Sequence, residues 1–272
     1  MPEGDNIHRH ASALQAQLVG RTVTGLWARG VSYPRLVGQT VTHVEARGKH
    51  LLIDIGRARV HVHLGMQGRL RVGPPGPLAP SLAARASLAV ATDAANAIWW
   101  RAPQVEILRA AFAHAHPILA ALGPDVLAPA FDPADAVARA RQRPGDTPLG
   151  PLLLDQRVAS GIGNVYKSEV LFLERLDPFA PVSSVDDAAL LRAYARAQQL
   201  MRQNLGPWRR TTTRDMSRGG PTPRGEARLH VYRRAQHPCR VCGSIIRLAY
   251  QGDPPRSTYY CPTCQAAKTR DQ

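Results

Sequence analysis

Four cysteines constrain this chain more than any other feature. Cys239, Cys242, Cys261 and Cys264 are the only cysteines, lie near the C-terminal end, and follow the pattern C-x2-C-x18-C-x2-C. Two close pairs separated by a short span match the ligand spacing of a tetrahedral thiolate zinc site. Such a site holds together a module too small to fold alone, so one structural Zn²⁺ is expected. Two disulfides are the competing reading, although nothing else in the sequence points to an oxidising compartment. Four thiolates leave no open coordination position, which excludes chemistry at the metal itself.

The 272 residues carry 35 Lys and Arg against 20 Asp and Glu, a net charge of +15. A surplus of that size suits a polyanionic partner, because each phosphate neutralised by Lys or Arg releases a condensed counterion. A protein that is basic and merely soluble is the plainer alternative. With 44% hydrophobic and 20% charged residues the composition is that of a globular chain with a real core. No apolar run approaches the ~20 residues of a membrane span, and the start of the chain lacks a secretory apolar segment. A soluble, intracellular protein with no membrane partner is expected. Neither a phosphate-binding loop nor a Ser-His-Asp order emerges.

Periodicity divides the chain into three textures. Ile7, Ala11, Leu14 and Leu18 share one face of a helix that Gly20 closes, so Pro2-Glu3-Gly4 sits at a helix start. From Thr22 to Leu108 short β-branched runs such as Leu51–Ile55, Val60–Met66 and Leu88–Ala91 predict a β-sandwich or flattened barrel, with His61 and His63 on its solvent face. The Pro/Ala-rich stretch Gly73–Ala84 reads as a surface loop within it. Helical texture follows, with Asp132-Pro133 as a cap and Leu190, Tyr194, Ala197 and Met201 at helical spacing. The Arg- and Gly-rich segment from Gly206 to Arg228 lacks periodicity and reads as a mobile loop, with a basic connector as the plainer alternative.

Gly161 and Gly163 bracket a tight turn, and Asn164 opens a helix with Val165, Leu171 and Phe172 on its apolar face. Free N–H groups and the positive dipole end make such a helix start a seat for a phosphate. An ordinary helical hairpin fits the same residues equally well.

Three separated motifs, in order, resemble one family. Pro2-Glu3-Gly4 at the start, the Gly161–Asn164 turn, and Arg256-Ser257-Thr258 with Cys261-Pro262-x-Cys264-Gln265 are similar to the DNA glycosylase/AP lyases of the formamidopyrimidine-DNA glycosylase and endonuclease VIII group. The resemblance spans essentially the whole chain. It implies an α+β multidomain fold: a β-sandwich with an N-terminal helix over 1–125, a helical domain with a helix-two-turn-helix and the basic loop over 126–228, and a zinc-finger β-hairpin over 229–272.

The resemblance also implies roles. Removal of Met1 would expose the secondary amine of Pro2, and an α-amino group with a pKa of about 8 is partly a free nucleophile near neutrality. Glu3 stands beside it as general acid/base, against the simpler role of a helix-start carboxylate. Lys49, in ARGKHLL, resembles a lysine that contacts the lesion phosphate and supports catalysis. Met66, in HLGMQG, matches a methionine that fills the gap behind a flipped nucleotide in the formamidopyrimidine branch; the alternative is a Met capping a core. Asn164 and Arg256 would grip phosphates flanking the lesion. The chain departs from the formamidopyrimidine branch in lacking an Arg-x-Phe pair within Trp100–Val105, and in reading Gly4-Asp5-Asn6 after Pro2-Glu3. Both departures point toward endonuclease VIII. The implied activity is excision of oxidised bases, pyrimidines favoured, from duplex or single-stranded DNA through a Schiff base on Pro2, followed by β,δ-elimination. Oxidised-purine excision and a non-catalytic zinc-containing DNA-binding protein are the alternatives.

Overall fold

The computed structural model describes residues 2–213 and 228–266. The chain divides into two compact units, Met1–Ala121 and Leu122–Gln272.

The first unit begins with α1 (Gly4–Leu18), whose buried residues include Ile7, Ala11, Leu14 and Leu18, the face read from the sequence. Nine strands follow: β1 (Val23–Ala28), β2 (Val31–Ser32), β3 (Val41–Arg47), β4 (His50–Ile55), β5 (Ala58–His63), β6 (Arg69–Gly73), β7 (Leu88–Thr92), β8 (Asn96–Trp100) and β9 (Gln104–Arg109). They form two antiparallel sheets in the orders β2-β1-β7-β8-β6 and β3-β4-β5-β9. Alternate residues face inward, so Leu51, Ile53, Ile55, Val60 and Val62 of one sheet share a core with Leu26, Leu88, Val90 and Trp99 of the other. The stretch read as a plain surface loop contains a short helix, α2 (Pro80–Arg85), which Pro80 starts at its first position. A 3₁₀ turn (Ala110–Ala115) and α3 (Pro117–Ala121) close the unit.

The second unit is built on α4 (Pro133–Arg141), α5 (Leu149–Leu154), α6 (Asn164–Leu173) and α7 (Asp187–Gln203). Asp132 and Asp186 cap their helices by accepting from the backbone N–H of Ala134 (2.8 Å) and Ala189 (2.6 Å). Leu190, Tyr194, Ala197 and Met201 of α7 join Leu152, Leu153, Tyr166 and Val170 in one core. The unit ends in a β-hairpin, β10 (Arg247–Gln251) paired with β11 (Arg256–Tyr260), between the two cysteine pairs. Within Gly206–Arg228, Thr211 and Thr212 are buried and Asn204 clamps the backbone of Thr211 on both sides, so the start of that stretch is fixed rather than mobile. Residues 214–227, with Arg214, Arg218 and Arg224, lie outside the described residues.

One expectation fails outright. His61 is fully buried, not a surface residue, because the 110–121 segment folds back over the outer face of the β3-β4-β5-β9 sheet. Burial lowers the pKa of His50 to about 3 and those of His10 and His63 to about 4. The unfolded chain, with ordinary histidines near 6.5, therefore binds protons that the folded chain excludes. Stability is fully present above that value and is lost as pH falls toward 4. Urea unfolding of the protein is expected to show a loss between pH 7 and pH 5 of up to about 2 kcal/mol for each of these histidines. Replacing His50 by Gln should flatten the profile, and a pH-independent stability in the wild type would contradict the assignment.

Candidate functional site

In the first unit Glu3 is the residue that starts α1. Its backbone carbonyl accepts from the N–H of Asn6 (2.9 Å) and Ile7 (3.2 Å), whereas its side chain makes no capping hydrogen bond. Glu3 is nonetheless 0% exposed, and Gly4 and Asp5 beside it are buried too. The start of the helix is thus set into the body of the unit, with half-buried Pro2 directly ahead of it. A carboxylate so deeply placed and not used as a cap goes against the simple helix-start role.

Lys49 occupies the two-residue turn Gly48-Lys49 that joins β3 to β4, where Arg47 pairs with His50. Gly48 adopts φ 60°, the left-handed conformation such tight hairpins require. The β3–β4 hairpin is the one on which α1 packs. The Lys49 ammonium contributes to the lowered pKa of both His50 and His63, which places its charge beside those rings. Met66 lies on the turn between β5 and β6 and is 60% exposed, so it is not a core-capping residue. Gly68 keeps that turn tight, since a Cβ there would collide with the Leu64 carbonyl.

In the second unit α5 and α6 flank a turn that the Gln156 side chain organises, donating to the carbonyls of Leu154 (2.7 Å) and Ile162 (3.1 Å) and accepting from the N–H of Gly161 (3.0 Å). Gly161 has φ 109°, a conformation closed to residues with a side chain. Asn164 is the first residue of α6, and its buried Oδ1 has no hydrogen-bond partner among the described residues. Arg256 begins β11, is exposed, and lines a cleft of about 480 Å³ together with Arg143, Asp155, Gln156 and Arg157. Arg256 and the turn that leads to Asn164 therefore border one cleft, lined by three arginines and two aspartates, with Arg143 and Arg157 both paired to Asp155.

The four cysteines converge, with their sulfurs all within 4.8 Å of one another. The Sγ–Sγ separations are 3.9 Å for Cys239–Cys264 and 3.4 Å for Cys242–Cys261. A tetrahedron of thiolates about 2.3 Å from a zinc ion has edges near 3.8 Å, whereas a disulfide needs about 2.05 Å. The donor set fits a metal ion and does not fit disulfides.

The residues that hold this hairpin in place were not apparent in the sequence. Three consecutive polar side chains of α6 are buried: Lys167, Ser168 and Glu169. The Lys167 ammonium donates to the Ser257 carbonyl and to Thr258 Oγ1, both at 2.9 Å. Ser168 Oγ accepts from the Tyr259 N–H (3.3 Å). The Glu169 carboxylate accepts from the N–H groups of His230 (2.8 Å), Val231 (2.9 Å) and Tyr232 (2.8 Å), and from the Thr212 hydroxyl. Phe172 adds an apolar contact by joining Val231, Cys239, Ile246 and Cys261 in a small core. Gln265 ties the last cysteine pair back, accepting from the Cys261 N–H and donating to the Leu176 carbonyl, both at 2.9 Å.

A β-sandwich with a buried helix start, a helix–turn–helix with an open polar end, and a four-thiol hairpin define the architecture of the helix-two-turn-helix DNA glycosylases. The formamidopyrimidine-DNA glycosylase N-terminal domain matches residues 1–103, and the H2TH domain of the same enzymes matches residues 122–215. The chain belongs to the formamidopyrimidine-DNA glycosylase/endonuclease VIII family. It is 40% identical over 270 residues to the DNA-(apurinic or apyrimidinic site) lyase Nei2 of Mycolicibacterium smegmatis, covering 98% of this chain and 100% of that one. It is also 40% identical over 275 residues to a probable endonuclease 8 2 of Streptomyces coelicolor, covering 98% and 94%. These relatives place it on the endonuclease VIII side, in agreement with Gly4-Asp5-Asn6 and the missing Arg-x-Phe pair. The Lactococcus lactis formamidopyrimidine-DNA glycosylase, solved non-covalently bound to DNA containing an AP site, shares the fold with a TM-score of 0.76 at 20% identity, covering 97% of this chain and 100% of that chain. No helix among the described residues is long and apolar enough to cross a membrane.

The Glu169 cradle gives a direct test of how the hairpin is held. Glu169→Ala leaves three backbone N–H groups without their acceptor and is expected to destabilise the second unit by about 3–5 kcal/mol, with Glu169→Gln costing less. Urea unfolding followed with a probe in that unit measures this, and a loss under about 1 kcal/mol for the alanine variant would show that the cradle is dispensable.

Proposed function

We propose that the protein is a bifunctional DNA glycosylase/AP lyase of base excision repair, with Pro2 as nucleophile and Glu3 as its acid/base partner. The observation that carries the reading is Glu3 itself, wholly buried at the start of α1, uninvolved in capping, and adjacent to the residue that becomes the amino terminus once Met1 is removed. In this reading 1–125 carries the chemistry, 126–228 the helix-two-turn-helix, and 229–272 the zinc hairpin. One Zn²⁺ held by Cys239, Cys242, Cys261 and Cys264 would supply structure only.

The Pro2 nitrogen attacks C1′ of the damaged nucleotide, the C1′–base bond breaks, and the base leaves with a proton. Glu3 protonates the sugar ring oxygen, which opens the ring and yields an iminium ion. A secondary amine makes that adduct cationic without protonation, and the positive charge acidifies C2′. Loss of the C2′ proton expels the 3′ phosphate, and a second elimination expels the 5′ phosphate. Lys49 steadies the lesion phosphate, Met66 fills the space left by the everted nucleotide, and Asn164 and Arg256 hold the flanking backbone. Oxidised pyrimidines are the favoured substrates, as the resemblance to the endonuclease VIII group implies. Oxidised purines are the second reading, favoured by the exposed position of Met66. Damaged duplex DNA is the partner, with single strands as a further substrate, and the protein acts as a monomer in the cytoplasm at the nucleoid.

Covalent trapping tests the core of this reading. Incubation with an abasic-site oligonucleotide and borohydride is expected to give a protein–DNA adduct that maps to the Pro2 peptide and disappears in Pro2→Thr. Binding of that DNA without an adduct would reject the lyase assignment in favour of a non-catalytic DNA-binding protein, whereas an undiminished adduct in Pro2→Thr would reject Pro2 as the required nucleophile. Arg256→Ala is expected to weaken binding of the same duplex by about 1–3 kcal/mol and to shallow the salt dependence by about one phosphate contact. Titrations at several salt concentrations decide, an unchanged slope ruling out the phosphate contact.

A further inference from the structure

The outer face of the β3-β4-β5-β9 sheet holds a polar cluster that the glycosylase chemistry does not use. His61 on β5 stands directly opposite Glu106 on β9, and His116, between the 3₁₀ turn and α3, reaches the same carboxylate from above. His61 Nδ1 is 2.8 Å and His116 Nε2 3.1 Å from Glu106 Oε2. The three ligand atoms lie within 4.8 Å of one another.

We propose that His61, Glu106 and His116 form a second metal site, which takes a six-coordinate divalent first-row transition ion such as Co²⁺ through two imidazoles and one carboxylate. Ligands about 2.1 Å from an octahedral ion are about 3.0 Å apart along a cis edge, and the two N···O separations bracket that value. Without a cation the cluster is overcommitted. Glu106 Oε2 faces His61 Nδ1, His116 Nε2 and the Gln104 amide nitrogen (3.2 Å), three donors for an oxygen with two lone pairs. With a cation at the centre both imidazoles offer lone pairs, and only Gln104 still donates to the carboxylate.

The surroundings support the His61 side of a metal centre, while His116 Nδ1 is buried without a hydrogen-bond partner among the described residues. His61 Nε2 is 2.8 Å from His50 Nδ1, so the second nitrogen of the buried ligand has the hydrogen-bond partner that fixes a coordinating imidazole's tautomer. Burial lowers the pKa of His61, which keeps the ring neutral and ready to ligate near pH 7. The Glu106 side chain is 37% exposed, leaving a path for water to the remaining coordination positions. Two of the ligands sit on neighbouring strands and the third on the segment that covers them, so a bound ion clamps residues 110–121 to the sheet.

Cobalt titration of the full-length protein, purified with zinc on its four thiolates, tests the site. One further equivalent of Co²⁺ is expected to bind with weak d–d absorption and no thiolate charge-transfer band, and to raise Tm. Glu106→Gln, which preserves shape, and His116→Ala, at the covering segment, should each weaken that binding at least roughly tenfold while the thiolate zinc is retained. Absence of cobalt binding in the wild type, or binding unchanged in both variants, overturns the proposal. Should either variant fail to fold, the wild-type spectrum still decides, because sulfur charge-transfer bands would assign the added ion to the cysteines instead.

Discussion

The second unit depends on one buried carboxylate. Glu169 gathers three successive backbone N–H groups and a hydroxyl, and so fixes the chain where it enters the cysteine module. Desolvating a charge is costly, and the cost is recovered only when its hydrogen-bonding capacity is filled, as it is here. Lys167 and Ser168, its neighbours on α6, do the same for the β10–β11 hairpin. One helix thus has two jobs. Its first residue is Asn164, and its next turn secures the hairpin that carries Arg256, so the two proposed phosphate anchors are referenced to a single rigid element.

The four-cysteine cluster works with this scaffold. The hairpin has five residue pairs and a core of a few side chains, Phe172 of α6 among them, which is too little apolar surface for independent stability. A metal ion on the four clustered cysteines would supply the missing cohesion, and Gln265 connects the last cysteine pair to the backbone at Leu176. In the first unit the corresponding constraint is the burial of the start of α1. Ile7, Leu14 and Leu18 anchor the helix in the sandwich core, and Glu3 is carried into the interior with them. Its proposed chemistry needs that setting, because a carboxylate removed from water has stronger interactions with whatever is bound beside it.

Much of this was legible beforehand because it is written in local patterns. Helical spacing identified the buried faces of α1 and α7, the Asp-Pro pair marked the cap of α4, and the cysteine spacing gave the thiolate cluster. Polar residues at buried positions were not legible. Lys167, Ser168 and Glu169 look like a solvated helix turn, and their partners lie 43 to 91 residues away in sequence. His61 alternates with Val60 and Val62 as a solvent-facing strand residue would. It is buried because Ala110–Ala115 and α3 return across the sheet, a contact that no pattern around residue 61 encodes.

The sequence by itself determined the elements, the four-thiol cluster and the family, since periodicity, capping and ligand spacing act over a few residues and the three family motifs are short and ordered. Only the tertiary structure decided that Glu3 is buried without serving as a cap, that Glu169 holds the entrance to the hairpin, and that His61, Glu106 and His116 meet. Each of these depends on which distant backbone or side chain reaches a polar group first, and that is settled by packing rather than by local propensity.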